Sequence, residues 1–345
     1  MKKTLDAFEK DIADYATKKS LQVLHCYENG NHFTGILSDG TRIRETIESE
    51  DNRFLFSFAE NADVKITNHC TAGCKFCHEN SSPNGKHADL NLPIFDTWKA
   101  GTEVAIGGGN VLDHPDLIPF LQKLKKQGAI CNITVNQIAV YEQKDLLLDL
   151  LNNNLLNGIG ISITNPSAKD QILAAEDICR LTDNVVYHVI AGIVDKSFLP
   201  ILANRKVLFL GYKSNVGRGV TFNNDHKDKI EENIIWLAKN LKTISRFAKV
   251  LSFDNLALAQ LDARKNLGLS DQEWDLRFQG KDYGDPDGMY APSTFYFDAV
   301  NQEIARSSTQ PYNERIKYTG QTFVEAFEAS LTNYTVNEDQ YGELR

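Results

Sequence analysis

The pattern of apolar and polar positions separates a short first region from the rest of the chain. Apolar residues at helical spacing predict a helix over residues 4–19. Alternating stretches at residues 21–27 and 32–37 predict a β-hairpin about Asn29-Gly30, followed by a turn at Asp39-Gly40. We therefore expect residues 1–60 to form a small α+β preface.

From about residue 62, short β-branched runs alternate with amphipathic segments. The predicted strands are residues 64–67, 103–106, 131–135, 159–163, 185–190, 207–210 and 250–253. Helices are predicted at residues 116–127, 144–153, 169–181 and 227–245. Apolar strands separated by helices indicate a parallel sheet covered by helices. This series predicts an α/β fold in which residues 61–260 form a full or partial (β/α) barrel of the TIM type.

The pattern changes again in residues 261–345. Residues 282–288 are rich in turn formers, residues 294–298 and 302–305 predict a hairpin, and residues 322–330 predict a last helix. We expect this C-terminal extension to cap one end of the barrel.

Composition and charge limit the class of protein. A chain of 345 residues, 42% of them hydrophobic, can bury a large core. The first residues have an acidic amphipathic pattern and not the apolar run of a signal peptide, so we expect a cytoplasmic protein without membrane attachment. The net charge of −9 argues against a polynucleotide partner, because nucleic-acid backbones bind basic surfaces.

The cysteines are unevenly distributed. Cys70, Cys74 and Cys77 form a C-x3-C-x2-C motif directly after the first predicted barrel strand. Three thiolates from one short loop can bind three irons of a cubane and leave its fourth iron without a protein ligand. Cys131 falls in a predicted strand and Cys179 in a predicted helix, so both are interpreted as buried thiols and not as ligands of a second metal centre.

The segment from Val64 to Asn80 resembles the signature of the radical S-adenosylmethionine (SAM) superfamily, including Phe76 before the last cysteine. The resemblance implies that Cys70, Cys74 and Cys77 hold a [4Fe–4S] cluster whose open iron binds SAM. It also implies reductive cleavage of SAM to a 5′-deoxyadenosyl radical, and an electron donor such as flavodoxin or ferredoxin. The implied substrate, which loses a hydrogen atom, is a small molecule, a nucleoside-like molecule or a peptide.

The same resemblance suggests residues that bind SAM. Gly107, Gly108, Gly109 and Asn110 match the superfamily's Gly-Gly-Glu element, with an amide in place of the acid. Further predicted SAM contacts are Phe76, Asn136, Ser162, Thr164, Ala191 and Arg218. A β–α turn would also favour the glycines, and a helix N-cap would favour the polar residues after residue 161.

Three polar residues that follow predicted strands are candidate catalytic residues. Tyr212 and Lys213 come after the strand at 207–210, and Asp254 comes after the strand at 250–253. At the carboxyl ends of barrel strands, such groups could orient a substrate C–H bond. Lys213 and Arg218 could hold a carboxylate or phosphate of the substrate or of SAM, although a solvated loop is the alternative.

The cysteine motif is also compatible with roles that do not involve SAM. A histidine at position 69, 78 or 87 could complete a Cys₃His zinc site. The run from Cys74 to His78 matches the C-x-x-C-H attachment motif of c-type haem, and buried thiols also cluster by chance. The alternative function is that of a zinc- or iron–sulfur-stabilised regulatory or structural protein without catalytic activity.

Overall fold

The computed structural model describes residues 2–49, 54–277 and 293–332. The predicted turns at residues 282–288 lie outside the described residues. The described chain contains a three-stranded sheet and a ten-stranded sheet that is mostly parallel. The predicted α/β class is therefore confirmed, whereas closure of the large sheet into a barrel remains a prediction.

The first unit consists of one helix packed on an antiparallel sheet. Its elements are α1 (Leu5–Lys18), β1 (Val23–Asn29), β2 (His32–Leu37) and β3 (Arg42–Thr46). The Thr4 side chain accepts a hydrogen bond from the Ala7 N–H and so caps α1. The predicted helix and hairpin are confirmed, but the sequence analysis does not predict β3.

The large sheet begins with seven parallel strands in chain order. They are β4 (Asn61–Thr67), β5 (Glu103–Gly108), β6 (Ile130–Asn136), β7 (Gly158–Ser162), β8 (Val185–Ile190), β9 (Lys206–Leu210) and β10 (Val250–Phe253). All seven strands predicted for this region are present. Because parallel strands end at the same edge, the loops that follow them meet there.

Helices and short 3₁₀ turns connect the strands. The helices are α2 (Leu117–Lys126), α3 (Gln137–Glu142), α4 (Lys144–Asn152), α5 (Lys169–Leu181), α6 (Leu199–Leu202), α7 (Arg218–Phe247), α8 (Asn255–Gln260), α9 (Ala263–Leu267) and α10 (Asp271–Arg277). The 3₁₀ turns are Pro93–Asp96, Val111–Asp113, Lys196–Phe198 and Tyr312–Glu314. Helix α7 starts earlier than predicted and has a kink at His226.

Alternate residues of the parallel strands have different environments. Val104, Ile106, Tyr187 and Phe209 belong to the buried core. Residues between them, such as Ala105 and Gly107 on β5 or Val186 and His188 on β8, line a cavity. The two faces of the sheet thus separate the packed core from the functional space.

The C-terminal segment extends the large sheet. Strand β11 (Thr294–Asp298) pairs in parallel with β4, and β12 (Glu303–Ala305) and β13 (Ile316–Lys317) follow it in antiparallel order. Helix α11 (Phe323–Thr332) ends the described chain. The predicted hairpin and last helix are confirmed, while the cap over one barrel end and the boundaries at residues 60 and 260 remain predictions.

The turn between β2 and β3 lies at the amino ends of the parallel strands. The Asn184 side chain donates to the carbonyl of Ser38 at 2.8 Å, and the Lys206 ammonium donates to the carbonyl of Asp39 at 3.3 Å. Ser38 and Asp39 also line the cavity. The first unit therefore forms part of the cavity wall opposite the strand ends that carry the cysteine loop.

A buried carboxylate joins the first unit to the large sheet. Glu60 is fully buried and accepts hydrogen bonds from Thr34 Oγ1 at 2.7 Å and from Arg44 Nε at 2.8 Å. Burial opposes its ionisation, but a hydrogen bond with His32 and the charges of Arg44 and Arg42 outweigh it and hold the pKa of Glu60 well below its usual value. The carboxylate therefore stabilises the fold near neutral pH.

We expect Glu60→Gln to lower the free energy of unfolding at pH 7 by about 3 kcal/mol, because it leaves the largely buried guanidinium of Arg44 without its carboxylate and removes one of the two carboxylate partners of Arg42. A lowered pKa contributes stability above the unfolded value of 4.5, and this is lost as the pH falls below that value. The difference in unfolding free energy between Glu60→Gln and wild type should therefore be smaller at pH 4 than at pH 7.

Chemical denaturation at pH 7 and pH 4 measures both effects. The matched control is Glu28→Gln, an exposed carboxylate on β1, which we expect to change stability by under about 0.5 kcal/mol. Equal stability of Glu60→Gln and Glu28→Gln at pH 7 would show that the buried cluster does not hold the units together.

Candidate active site

Cys70, Cys74 and Cys77 lie on the loop after β4, at the carboxyl end of the parallel strands. All three are half-buried and line one cavity of about 1000 Å³. Burial, and after it the neighbouring thiols of Cys77 and Cys70, raises the pKa of Cys74 to about 11. The three thiols thus lie near one another on the wall of a single cavity.

Backbone contacts from the glycine segment hold one side of this loop. The Gly109 N–H donates to the Thr67 carbonyl at 2.7 Å, and the Asn110 N–H donates to the His69 carbonyl at 2.7 Å. A Cβ on Gly109 would overlap the His69 carbonyl oxygen. Gly108 has a φ of +113°, and a Cβ there would overlap the Thr67 carbonyl oxygen. Both glycines are therefore required for close approach of the cysteine loop.

Gly107 differs from the two glycines that follow it. It lines the cavity, and no atom lies within 4 Å of the position that a Cβ would take. Its missing side chain leaves space in the cavity, and the backbone of β5 is exposed to whatever occupies that space.

Arg218 holds the other side of the cysteine loop. Its Nε donates to the Cys74 carbonyl at 3.0 Å, its Nη1 donates to the Ser81 carbonyl at 2.9 Å, and its backbone N–H donates to the Cys77 carbonyl at 2.9 Å. Gly217 has a φ of +58°, and a Cβ there would overlap the carbonyls of Cys77 and His78. These contacts indicate that Arg218 positions the loop, while its contact with SAM remains a prediction.

Asn136 connects the third parallel strand to the cysteine loop. Its amide nitrogen lies 3.8 Å from Cys74 Sγ, and its Oδ1 accepts the Ile138 N–H at 3.0 Å. The residue therefore caps α3 and contacts a thiol at the same time.

Phe76 packs edge-on against Phe222 of α7, with ring centroids 5.7 Å apart.

The candidate catalytic residues have hydrogen-bond partners at the cavity wall. The Tyr212 hydroxyl donates to the Gly219 carbonyl at 2.9 Å, and the Lys213 ammonium donates to Ser308 Oγ at 2.9 Å. Asp254 Oδ1 accepts the N–H groups of Gly211 and Ala257, so it also caps α8. Burial raises the pKa of Asp254, and the charge of Lys213 opposes that shift.

Most of the other predicted SAM contacts lie at the same cavity. Ser162 and Thr164 line it, as do Gly108, Gly109, Phe76 and Asn136. Asn110 and Ala191 are buried and are not among its lining residues. Asn110 Oδ1 has no hydrogen-bond partner among the residues that the structure describes. The role of each residue in binding SAM remains a prediction.

A buried ionic cluster next to the cysteine loop was not predicted. Lys65, at 2% exposure, lies 2.8 Å from Glu79 and 3.0 Å from Asp298, and the Tyr296 hydroxyl donates to Glu79 at 3.1 Å. The cluster connects Glu79, two residues after Cys77, to Lys65 on β4 and Asp298 on β11. The sequence signal for this cluster was Lys65, a charged residue inside the apolar run 64–67. Its partner Asp298 could not be identified from the sequence, because it lies 233 residues further along the chain.

His188 is a second residue that the sequence analysis missed. It lines the cavity at an alternate position of β8, and burial lowers the pKa of its imidazole to about 4, so the ring is neutral near pH 7. A Cβ on Gly160 of β7 would overlap this ring, so the glycine provides its space. Alternation along the apolar strand 185–190 could have identified it.

The histidines proposed for a zinc site have other partners. His78 contacts Glu79 at 3.3 Å, His69 lies 3.5 Å from Asp113, and His87 Nδ1 lies 2.9 Å from Thr67 Oγ1. Within residues 2–49, 54–277 and 293–332, no three His, Cys, Asp or Glu side chains are arranged to bind one metal ion.

None of the helices in these described ranges is both long and apolar enough to cross a membrane.

Comparisons with known proteins identify relatives of this chain. No family model matches the sequence. The chain is 32% identical over 103 residues to the 5-amino-6-(D-ribitylamino)uracil–L-tyrosine 4-hydroxyphenyl transferase 2 of Methanococcus maripaludis. This match covers 28% of the present chain and 27% of that relative, about a quarter of its length.

The fold is similar to that of Streptococcus suis SuiB bound to its precursor peptide SuiA. The TM-score is 0.50 at 13% identity, covering 84% of this chain and 67% of SuiB. At this identity the likeness shows a common fold. A structure of SuiB bound to S-adenosylmethionine gives a TM-score of 0.49 and 14% identity, covering 79% of this chain and 64% of that one.

The resemblance indicated by the cysteine motif is confirmed by the curated relative, which belongs to the radical SAM superfamily and is similar to this chain over 103 residues. The likeness to SuiB shows a common fold.

The two kinds of glycine at the end of β5 predict different effects of the same substitution. Gly109→Ala should destabilise the fold by about 1–3 kcal/mol, because the new Cβ overlaps backbone. It should also lower the iron content after anaerobic reconstitution, because the displaced backbone carries the cysteine loop.

Gly107→Ala is the matched control, since its Cβ meets open space, and we expect its stability to stay within about 0.5 kcal/mol of wild type. Thermal denaturation and iron analysis of both variants give the comparison. A Gly109→Ala protein as stable and as rich in iron as Gly107→Ala would refute the close-approach argument.

Proposed function

We propose that this chain is a radical SAM enzyme that reductively cleaves SAM at a [4Fe–4S] cluster held by Cys70, Cys74 and Cys77. The observation that carries the proposal is the position of these three thiols, which share one loop and line one large cavity at the carboxyl end of a parallel sheet. Active sites of (β/α) folds lie at this end.

The donor set fits an iron–sulfur cluster. Thiolates are the usual ligands of such clusters, and each of three thiolates would bind a different iron, so they need not converge on one point as the ligands of a single ion do. When bound, the cluster would supply the electron that cleaves SAM to methionine and a 5′-deoxyadenosyl radical.

The surrounding residues would perform the binding and positioning. Gly107 exposes backbone to the cavity, and Ser162 and Thr164 present polar groups to it, so these residues would contact SAM. Asn136 would orient the Cys74 thiolate through its amide. Arg218 and Glu79 would keep the loop in place through the contacts described above.

The proposed substrate binds in the same cavity as SAM, and the relatives suggest its chemical class. SuiB binds a precursor peptide, and the curated relative is named for a uracil derivative and for tyrosine. We propose a small-molecule, nucleoside-like or peptide substrate that loses a hydrogen atom, and a flavodoxin or ferredoxin as electron donor in the cytoplasm. Tyr212, Lys213 and Asp254 would contact that substrate at the cavity wall.

The test is formation of 5′-deoxyadenosine. The full chain is reconstituted anaerobically with iron and sulfide, supplied with SAM and dithionite, and examined by liquid chromatography. We expect wild type to form 5′-deoxyadenosine and Cys74→Ala to form none above the background of free reductant.

Cys26→Ala is the matched control, since Cys26 lies in β1 of the first unit and does not line the cavity. It should retain the wild-type amount of product. The proposal fails if reconstituted wild type leaves SAM intact, or if Cys74→Ala cleaves SAM as wild type does.

A further inference from the structure

The loop after β12 meets the end of β9 at the cavity. Ser307, Ser308 and Thr309 line the cavity together with Lys213, and the Lys213 ammonium donates to Ser308 Oγ at 2.9 Å. Ser307 Oγ and Thr309 Oγ1 are 2.9 Å apart. Three hydroxyl groups and one ammonium therefore lie along one part of the wall.

Hydrogen bonds fix the shape of this loop from behind. Gln310 Oε1 accepts the Arg306 N–H at 2.6 Å, and the guanidinium of Arg315 donates to the carbonyls of Ser308 and Gln310, each at 3.0 Å. Arg315 is itself almost fully buried, at 3% side-chain exposure. The hydroxyl groups are thus presented by a preorganised backbone, which lowers the entropy lost when a ligand binds.

Lys213 is half-buried and forms no salt bridge with a carboxylate of the described residues. Asp254, which lines the same cavity, is near enough for its charge to interact with that of Lys213. The hydrogen-bond partner of Lys213, Ser308 Oγ, is neutral. A partly desolvated ammonium beside hydroxyl donors favours an anionic ligand.

The site is built from other elements than the SAM contacts argued from the cavity lining. Gly107, Ser162 and Thr164 lie on β5 and at the end of β7, whereas Lys213 follows β9 and residues 307–309 follow β12. Building on the radical SAM function proposed above, we propose that Lys213 and the hydroxyl groups of Ser307, Ser308 and Thr309 bind an anionic group of the substrate, a carboxylate or a phosphate. The enzyme would then act on an organic acid or a phosphorylated compound.

Anion binding by the full chain tests this inference. Inorganic phosphate in one arm and malonate in the other are titrated into the reconstituted protein by isothermal titration calorimetry, in a buffer without other multivalent anions. We expect saturable binding of one of the two probes, which identifies the phosphate or the carboxylate as the recognised group. The assay contains neither SAM nor reductant, so its result is independent of 5′-deoxyadenosine formation.

Variants locate the binding site. Lys213→Gln should weaken binding at least about tenfold, because it removes a charge-assisted hydrogen bond, and Lys213→Arg should retain binding within about threefold. Lys206→Gln is the matched control, since Lys206 lines the same cavity at the other end of the strands and should bind as wild type does. The inference fails if wild type binds neither probe, or if Lys213→Gln binds it as tightly as Lys206→Gln.

Discussion

The shape of the cysteine loop depends on backbone carbonyls that are held from two sides. The N–H groups of Gly109 and Asn110 bind the carbonyls of Thr67 and His69 ahead of the first cysteine, and Arg218 binds the carbonyls of Cys74, Cys77 and Ser81. The segments that supply these donors come from the second and sixth parallel strands, so the loop is fixed only once the sheet has formed. Glycine at positions 108, 109 and 217 follows from the same constraint, because a side chain at any of them would overlap the loop.

Two of the parallel strands carry small residues on the face that lines the cavity. These residues are Ala105 and Gly107 of β5 and Gly158 and Gly160 of β7. The space beside Gly107 is open, whereas the His188 ring fills the space beside Gly160. The polar groups that follow β9 and β10 line the same cavity, together with the loop after β12. The proposed SAM contacts and the proposed substrate contacts thus come from different elements around one cavity.

Periodicity and one motif were enough to predict much of this arrangement. The seven parallel strands were identified because buried β-branched runs give a local signal, and the cysteine motif is local as well. Strand β3 was missed because Arg42 and Arg44 hide its pattern, and their partners Glu60 and Glu103 appear only in the folded chain. The pairing of β11 with β4 and the contacts of Lys65 with Asp298 likewise join residues far apart in sequence, where single-sequence patterns carry no information.

Electron paramagnetic resonance of the reconstituted, dithionite-reduced protein, recorded with and without excess SAM, tests the central claim most directly. Three cysteine ligands leave one iron of a [4Fe–4S] cluster available to SAM. The account predicts the signal of a reduced [4Fe–4S] cluster whose g values change when SAM is added. A cluster signal that SAM leaves unchanged, or a protein that takes up zinc and no iron, would contradict the account.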